Sequence, residues 1–500
     1  MKKSNSLIYV ALFAVLFLAI AAYTLPIMMG IYIAGELGGS NDIATYVVTF
    51  YAIGNAIGIP LGGALKDRIG PARFLVYCLL SFAFFTFLCA AAPTYFLFNF
   101  FRLLQGISSG PIYALVFYFF GQFVPKEKKE QFNIIIITLF SVVPVAAACY
   151  GGWIAYDYHW SNSFYFDAPF LVVLAGFFWF KLREKKEHLK KVPFDGTGYF
   201  FYCVGILCIS TAIITGQQLD WFRSPLICFL FAFGVASFGF FILWDLKSSH
   251  PILHLKLLVK NTLGFALFFL AVLFGAYFGM IILLSLWLSL DVNYTPTWIA
   301  LLLGTMALTG LCPVFLVKKK HIDPRYMLGI AVIFFAISCF HTTTFDVDID
   351  FQRIAFSRVI AGLGLAFFLP PLFRLAFGGF SEEEEVPVLT LFQAARALGS
   401  GIGVAIFSTL WQRRQVFFHS RMGGDLTLFD PSTREFFINA KQFQLKGLPA
   451  ADQLNTYLDR RSLSLALDDC FYLMGYIMVA LFVLLLISKG REVFLSKKRA

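Results

Sequence analysis

Three arginines lie where charge is expensive. Arg102, Arg358 and Arg396 each sit inside a long apolar run. Read as helix at 1.5 Å per residue, Arg102 and Arg358 lie about 10 Å from the nearer end of their runs, and Arg396 nearer the middle. Against lipid each would cost about 2.5–3.5 kcal/mol on insertion scales, so each must face protein or a wet cavity. Two chemistries fit: guanidinium groups that hold helices together through backbone carbonyls, or guanidinium groups that line a passage and meet an anionic solute. Gln105 and Gln393 are polar companions in either case. Arg374, close to the end of its run, can reach water along its own stem.

Carboxylates are the second set. A proton-coupled passage needs a titratable group, and a carboxylate drawn into low dielectric binds protons more tightly. Asp167, in Phe164-Tyr-Phe-Asp-Ala-Pro169, and Glu36, at the far end of the first apolar run, are the candidates. Asp167 stands near a helix start and could equally be a cap. The run Ser381-Glu-Glu-Glu-Glu-Val-Pro387 places acids before a helix start, where they complement the helix dipole. His250 and His254 have the i, i+4 spacing of a metal pair, but Pro251 between them breaks the helix such a pair needs, so no metal site is expected. The nine cysteines form no C-x-x-C pair and read as small buried hydrophobes.

The elements that must position these residues are membrane spans. With 59% hydrophobic and 14% charged residues over 500 positions, the chain is no soluble domain. Its apolar residues lie in runs separated by short charged breaks, giving fourteen expected spans: 7–34, 43–64, 74–92, 95–123, 131–155, 164–181, 196–216, 223–246, 262–290, 296–317, 326–342, 351–378, 386–411 and 467–488. The 62 phenylalanines are then mainly lipid-facing bulk. The net charge of +11 follows from Lys and Arg gathered in the breaks that a cytoplasmic amino terminus places inside, so it sets topology and gives no sign of a nucleic-acid partner. Both termini are expected to be cytoplasmic, and the bilayer is the chain's surrounding partner.

The chain also repeats itself at offsets of 252–256 residues. Ala11-Leu-Phe13 recurs as Ala266-Leu-Phe268, Arg102-Leu-Leu-Gln-Gly106 as Arg358-Val-Ile-Ala-Gly362, and Thr138-Leu-Phe140 as Thr390-Leu-Phe392. The expected fold is therefore all-α and integral to the membrane, with two pseudo-symmetric six-helix bundles and two inserted helices. Its divisions are 1–186, 187–260 (linkers and inserted helices) and 261–500, the last with an outer loop at 412–467 that carries short amphipathic helices. Parallel halves of this kind place the substrate site at their interface.

Several stretches point to a family. Gly63-Ala-Leu-Lys66-Asp67-Arg68-Ile-Gly70-Pro71-Ala-Arg73, a charged turn between the second and third spans, resembles the corresponding loop of the major facilitator superfamily of secondary transporters. Arg102 to Gly110 is similar to its fourth-span motif. Gly151-Gly152-Trp153 with Trp160, Phe164-Tyr165 and Pro169, Pro251 to Lys256, and Arg396-Ala-Leu-Gly399-Ser-Gly401-Ile-Gly403 resemble its fourteen-span drug:proton antiporter branch. The resemblance implies alternating access, with Asp67 latching the cytoplasmic gate against a helix amino terminus and basic neighbours; Gly63, Arg68, Gly70 and Arg73 belong to the same motif. It implies proton-driven export of a small amphipathic or toxic organic compound across the cell inner membrane, no enzymatic activity and no cofactor, with periplasmic adaptor proteins as further partners.

Departures matter too. The basic pair after Gly70 is Pro71-Ala72, Ala22 stands where the branch has a first-span Asp, Asp167 where it more often has Asn, and Ala147-Ala-Cys-Tyr-Gly151-Gly152 where it has Gly-Pro-x-x-Gly-Gly. Interior arginines without a first-span acid leave open transport of an anionic metabolite or siderophore. A non-transporting sensor, or a membrane-embedded enzyme, is a further alternative, though the seven histidines are scattered and no nucleophile–base pair stands out.

Overall fold

The computed structural model describes residues 2–40, 43–125, 128–182, 193–311, 323–381, 383–427, 429–442 and 448–499. Cys312, Glu382, the expected tail of the tenth span (312–317) and the boundary at 186/187 lie outside them. All regular structure among the described residues is helical. The helices are α1 (Lys2–Thr24), α2 (Gly30–Glu36), α3 (Tyr46–Ile69), α4 (Pro71–Ala90), α5 (Tyr95–Phe123), α6 (Lys129–Asp157), α7 (Trp160–Leu182), α8 (Gly196–Thr215) and α9 (Pro225–Lys247). They continue as α10 (Leu263–Leu290), α11 (Pro296–Leu311), α12 (Pro324–Thr342), α13 (Phe351–Ala366), α14 (Leu369–Phe377), α15 (Glu385–Asp425), α16 (Pro431–Gln442) and α17 (Leu448–Arg499). Thirteen segments are long and apolar enough to cross a membrane, and α11, with 16 described residues, is a shorter apolar helix.

Two groups form by contact. Helices α1 and α3–α7 pack among themselves, as do α10–α15 and α17, while α8 and α9 pair with each other. The groups meet along two seams, α3 against α15 and α6 against α11. Burial follows position: 83% of the span window of α10 is buried but only 22% of that of α9, which therefore faces the bilayer. Helix α8 is pinned to α3 by three tyrosines. Tyr46 donates to the Ile214 carbonyl (2.9 Å), Tyr202 to Ala56 (2.8 Å) and Tyr199 to Ile57 (3.2 Å).

Four expectations about elements change. The first span is interrupted by a short 3-10 turn at Leu25–Ile27, where Pro26 removes a donor, and resumes as α2. The twelfth breaks between α13 and α14, just before Pro370-Pro371. The charged turn is far tighter than its composition suggested: α3 runs through Lys66, Asp67 and Arg68 to Ile69, and α4 starts at Pro71. Gly70 alone makes the corner, at φ 98°, a left-handed value that glycine adopts without strain. Pro71 is suited to the first helical position because its missing N–H is not needed there.

The expected outer loop 412–467 is largely helix. Helix α15 runs on for 41 residues, about 60 Å at 1.5 Å per residue. It and the start of α17 project beyond the bundle, with α16 between them. Trp411 donates to the Leu463 carbonyl (3.1 Å), Arg414 pairs with Asp469, and His419 meets Asn455 (3.1 Å) and Asp459 (3.3 Å). These bonds zip the two helices into an upright hairpin, whereas separate short helices were expected to lie flat. We refer below to the hairpin face and to the opposite, turn face, which carries Gly70.

Candidate functional site

On α15 small residues decide how closely its neighbours approach, α10 of its own group on one face and α3 across the seam on the other. Gly399 and Gly403 are one helical turn apart and share a face, with Gly401 on the other. A Cβ built on Gly399 would fall 2.4 Å from the Ala271 carbonyl oxygen, and one on Gly403 2.2 Å from Gly275 Cα, so α10 lies backbone-to-backbone on α15. A Cβ on Gly401 would fall 2.8 Å from Ala52 Cβ of α3. Thus α15 is clasped on both faces, which bilayer helices achieve only with small residues. On α6, Gly151 packs against the break after α1 of its own group and Gly152 serves the other seam. A Cβ on Gly151 would lie 2.1 Å from the Leu25 carbonyl oxygen at the break after α1, and one on Gly152 3.2 Å from Pro296 Cβ of α11.

Arg396 sits between the seams and between the groups. Its Nε donates to Gln393 Oε1 (2.7 Å), and its guanidinium lies over Tyr113 (5.1 Å, α5), Phe140 (5.1 Å, α6) and Phe274 (6.0 Å, α10). Rings thus reach it from both groups. Phe274 neighbours Phe278 (6.1 Å), which meets Tyr23 of α1 (5.0 Å), and Tyr23 stacks on Tyr51 of α3 (5.7 Å). Arg396 is only 4% exposed, and Gln393 Nε2 beside it is buried without a hydrogen-bond partner among the described residues. The arrangement brings a cation, an aromatic wall and a spare amide nitrogen together in buried surroundings. Chemically it suits an amphipathic solute: an acceptor or anionic head against the guanidinium, an apolar body against the rings.

The other two arginines occupy different surroundings. Arg102, wholly buried over Tyr51 (4.4 Å), donates from Nε to the Val47 carbonyl (2.9 Å) and from Nη1 to Gln105 Oε1 (2.5 Å); Gln105 passes the chain on to Thr86 of α4 (2.7 Å). Arg358, also wholly buried, donates from Nη2 into a hydroxyl cluster of Thr342 (2.6 Å) and Ser338 (3.2 Å) on α12 and its neighbour Ser357 (3.0 Å). Both bond within their own group. Thr86 and Thr342 are themselves 256 residues apart, as are Arg102 and Arg358, and Gly106 and Gly362. The two glycines do the same job, since a Cβ on Gly106 would strike the Tyr51 carbonyl oxygen of α3 (2.3 Å) and one on Gly362 Thr309 Oγ1 of α11 (1.9 Å). The sequence reading found the arginine and glycine of this repeat and missed its threonine.

Asp67 pairs with Lys66 of its own helix (2.8 Å), and Lys66 lies over Tyr118 (5.1 Å). Gly63 faces the start of α15 across the seam, where a Cβ would stand 3.5 Å from Thr390 Oγ1. Arg68 and Arg73 are exposed on the turn face. Glu36 ends α2 on the hairpin face and binds the start of α7 through Trp160 Nε1 (2.6 Å) and His159 (3.0 Å). Asp167 is half-buried on α7, which borders α4, α6 and α1 and so lies away from both seams. Beside the start of α15, Glu384 bonds Lys260 (2.6 Å) and the Ser381 N–H, which hold its carboxyl below the usual range.

Helical throughout its described residues, with spans in two packed groups and a buried cation between rings of both groups, the molecule has the form of a membrane transporter. More particularly, the chain belongs to the Major Facilitator Superfamily, whose profile matches residues 11–403. It is 26% identical over 462 residues to "Fatty acid resistance protein FarB" of Neisseria gonorrhoeae, covering 91% of this chain and 90% of that one. It is 27% identical over 468 residues to "Multidrug export protein EmrB" of Escherichia coli, at the same coverage. Among solved structures it resembles the human organic anion transporter MFSD10 with a TM-score of 0.58 at 13% identity, over 95% of this chain and 98% of that one. It also resembles tetrameric PepTSo2 with a TM-score of 0.59 at 16% identity, over 99% and 100%. At such identities the structural likeness concerns the fold alone.

Proposed function

We propose that this transporter exports small amphipathic or toxic organic compounds, driven by the proton gradient, by alternating access between groups 1–186 and 261–500, with 187–260 as linkers and inserted helices. The observation that carries this is Arg396 in its aromatic enclosure, to which both groups contribute rings. The fatty acid resistance and multidrug export proteins among its relatives support export and a substrate with a large apolar part. Arg396 and Gln393 form the substrate contact. Arg102 and Gln105 border it through Tyr51, and Arg358 braces the second group. Gly63, Asp67, Arg68, Gly70 and Arg73 belong to the turn-face gate, with Gly63 at the point where α3 and α15 must part.

The turn face is cytoplasmic, as are both termini, and the hairpin of α15–α17 stands in the outer compartment of the inner membrane, where periplasmic adaptor proteins are its natural partners. A second reading, transport of an anionic metabolite, is favoured by the same arginine. Purified protein in liposomes with an imposed pH gradient separates the two. Accumulation of dansyl-undecanoate together with the cationic dye ethidium supports broad amphipathic export, movement of the carboxylate probe alone supports the anionic reading, and transport of neither under the gradient overturns both.

A further inference from the structure

Where α10 ends on the hairpin face, a carboxylate is buried at a junction outside the substrate enclosure. Asp291 is 1% exposed. Its Oδ2 accepts hydrogen bonds from Trp287 Nε1 (2.7 Å), one helical turn back, and from Ser464 Oγ of α17 (2.5 Å); the same indole also reaches Ser464 (3.0 Å). Its Oδ1 is buried with no hydrogen-bond partner among the described residues. Of the charged groups, Arg460 on α17 favours its charge and Asp346 between α12 and α13 opposes it. Asp346 is itself bonded to Arg461 (2.6 Å), and further along α17 Asp469 is taken by Arg414 of α15. No cation is in direct contact with Asp291 among the described residues. Burial pushes its carboxyl above the usual range, with the Ser464 and Trp287 bonds opposing that shift.

We propose that Asp291 is a proton-binding site of the outer face, the carboxylate that takes up a coupling proton from the outer compartment. It rests on the proton-driven reading above. The proton adds to Oδ1, the oxygen without a donor, and converts a charged acceptor into a neutral acid, so the bonds from Trp287 and Ser464 weaken. Those bonds tie the end of α10 to α17. Thirteen residues earlier on α10 lies Phe278, in the ring chain leading to Arg396, about 20 Å away along the helix. A proton arriving outside thereby loosens the end of a helix whose middle lines the substrate enclosure. Loss of the proton restores the tie. Glu36 and Asp167, the acids the sequence suggested, both belong to the first group, whereas Asp291 caps the end of α10.

The test uses the full chain in liposomes, with dansyl-undecanoate as probe and an entrapped pH dye reporting proton entry. Wild type should move protons with the probe, and Asp291→Asn, neutral and of the same shape, should lower that proton movement by about tenfold. Proton movement within twofold of wild type in D291N overturns the proposal. If D291N does not elute as a folded protein, Ser464→Ala decides. Losing a donor to the charged form must move the midpoint of the pH profile upward, by about half a unit, and an unmoved midpoint overturns the proposal. A wild type indifferent to the gradient overturns the proton-driven reading and this inference together, whereas a coupled wild type with an unaltered D291N sinks this inference alone.

Discussion

At the residue scale, each interior arginine is defined by what it bonds. Arg102 bonds one helix carbonyl and an amide, and Arg358 bonds hydroxyls, each within its own group and with no carboxylate among the described residues, so we propose that they brace their groups. Hydrogen bonds to a charged group are worth about 1.5–3 kcal/mol, so Arg358→Met should lower the thermal stability of the detergent-solubilised protein by about that much while leaving probe affinity within twofold. A large affinity loss without destabilisation would place Arg358 in the pathway instead. Thr342→Ala should give a smaller version of the same effect. The apolar depth of these arginines was legible in the sequence because spans are read by length and hydropathy. Their partners were not, since which way a guanidinium turns depends on side chains from other helices. Asp291 was hidden for a related reason: it falls one residue after a span and reads as a loop acid until Ser464, 173 positions later, is brought against it.

Glu384 behaves oppositely to Asp291. Its carboxyl is held low by Lys260 and Ser381. A carboxylate with a depressed folded value contributes stability above the unfolded value, near 4.3, and loses it as pH falls through the folded one. The contact at the start of α15 should therefore weaken only in acid, below about pH 4. Glu384→Gln should lose that small contribution at neutral pH and show no further loss of it in acid, which a melting series from pH 3 to 8 would check.

At the element scale, glycine spacing sets how closely α15 meets α10 of its own group and α3 across the seam. Gly403→Ala puts a methyl carbon where Gly275 Cα already is, so α10 and α15 must separate; transport should fall by at least about tenfold and the melting temperature should drop. Gly424→Ala, where nothing lies within 4 Å, should change stability by no more than about 0.5 kcal/mol. Equal effects at the two positions would remove close packing as the explanation. The spans themselves were readable, as was the motif Gly399-x-Gly401-x-Gly403, although which helix each glycine meets was not. The long ends of α15 and α17 escaped because helices with polar surroundings on most sides lose the apolar run that marks a span. Residues 412–467 therefore looked like a loop with short pieces of helix. The break at Pro26 was also missed, because hydropathy is blind to a change of backbone direction inside an apolar run.

At the scale of the whole molecule, the account is of two groups that rock about a shared enclosure. The inserted pair α8–α9 is fastened to α3 by tyrosine–carbonyl bonds and should travel with the first group. A disulfide between Gly63→Cys and Thr390→Cys, whose side chains would meet across the turn-face seam, should stop transport, and reduction should restore it. Transport that continues with the bond intact would mean that this seam does not open. The repeat at 256 residues led to the expectation of two related groups, yet the two members it marked most clearly, Arg102 and Arg358, each bond within a different group. The cation at their junction, Arg396, has no repeated counterpart among the motifs that carried the symmetry.

The central claim, that Arg396 holds the substrate, is tested most directly by dansyl-undecanoate binding to purified wild-type protein and to Arg396→Gln, followed by dansyl fluorescence at neutral pH. Losing a buried charged contact costs about 2–5 kcal/mol, so the dissociation constant should rise at least about thirtyfold while the melting temperature stays close to wild type. An unchanged dissociation constant in a folded R396Q protein would contradict the account.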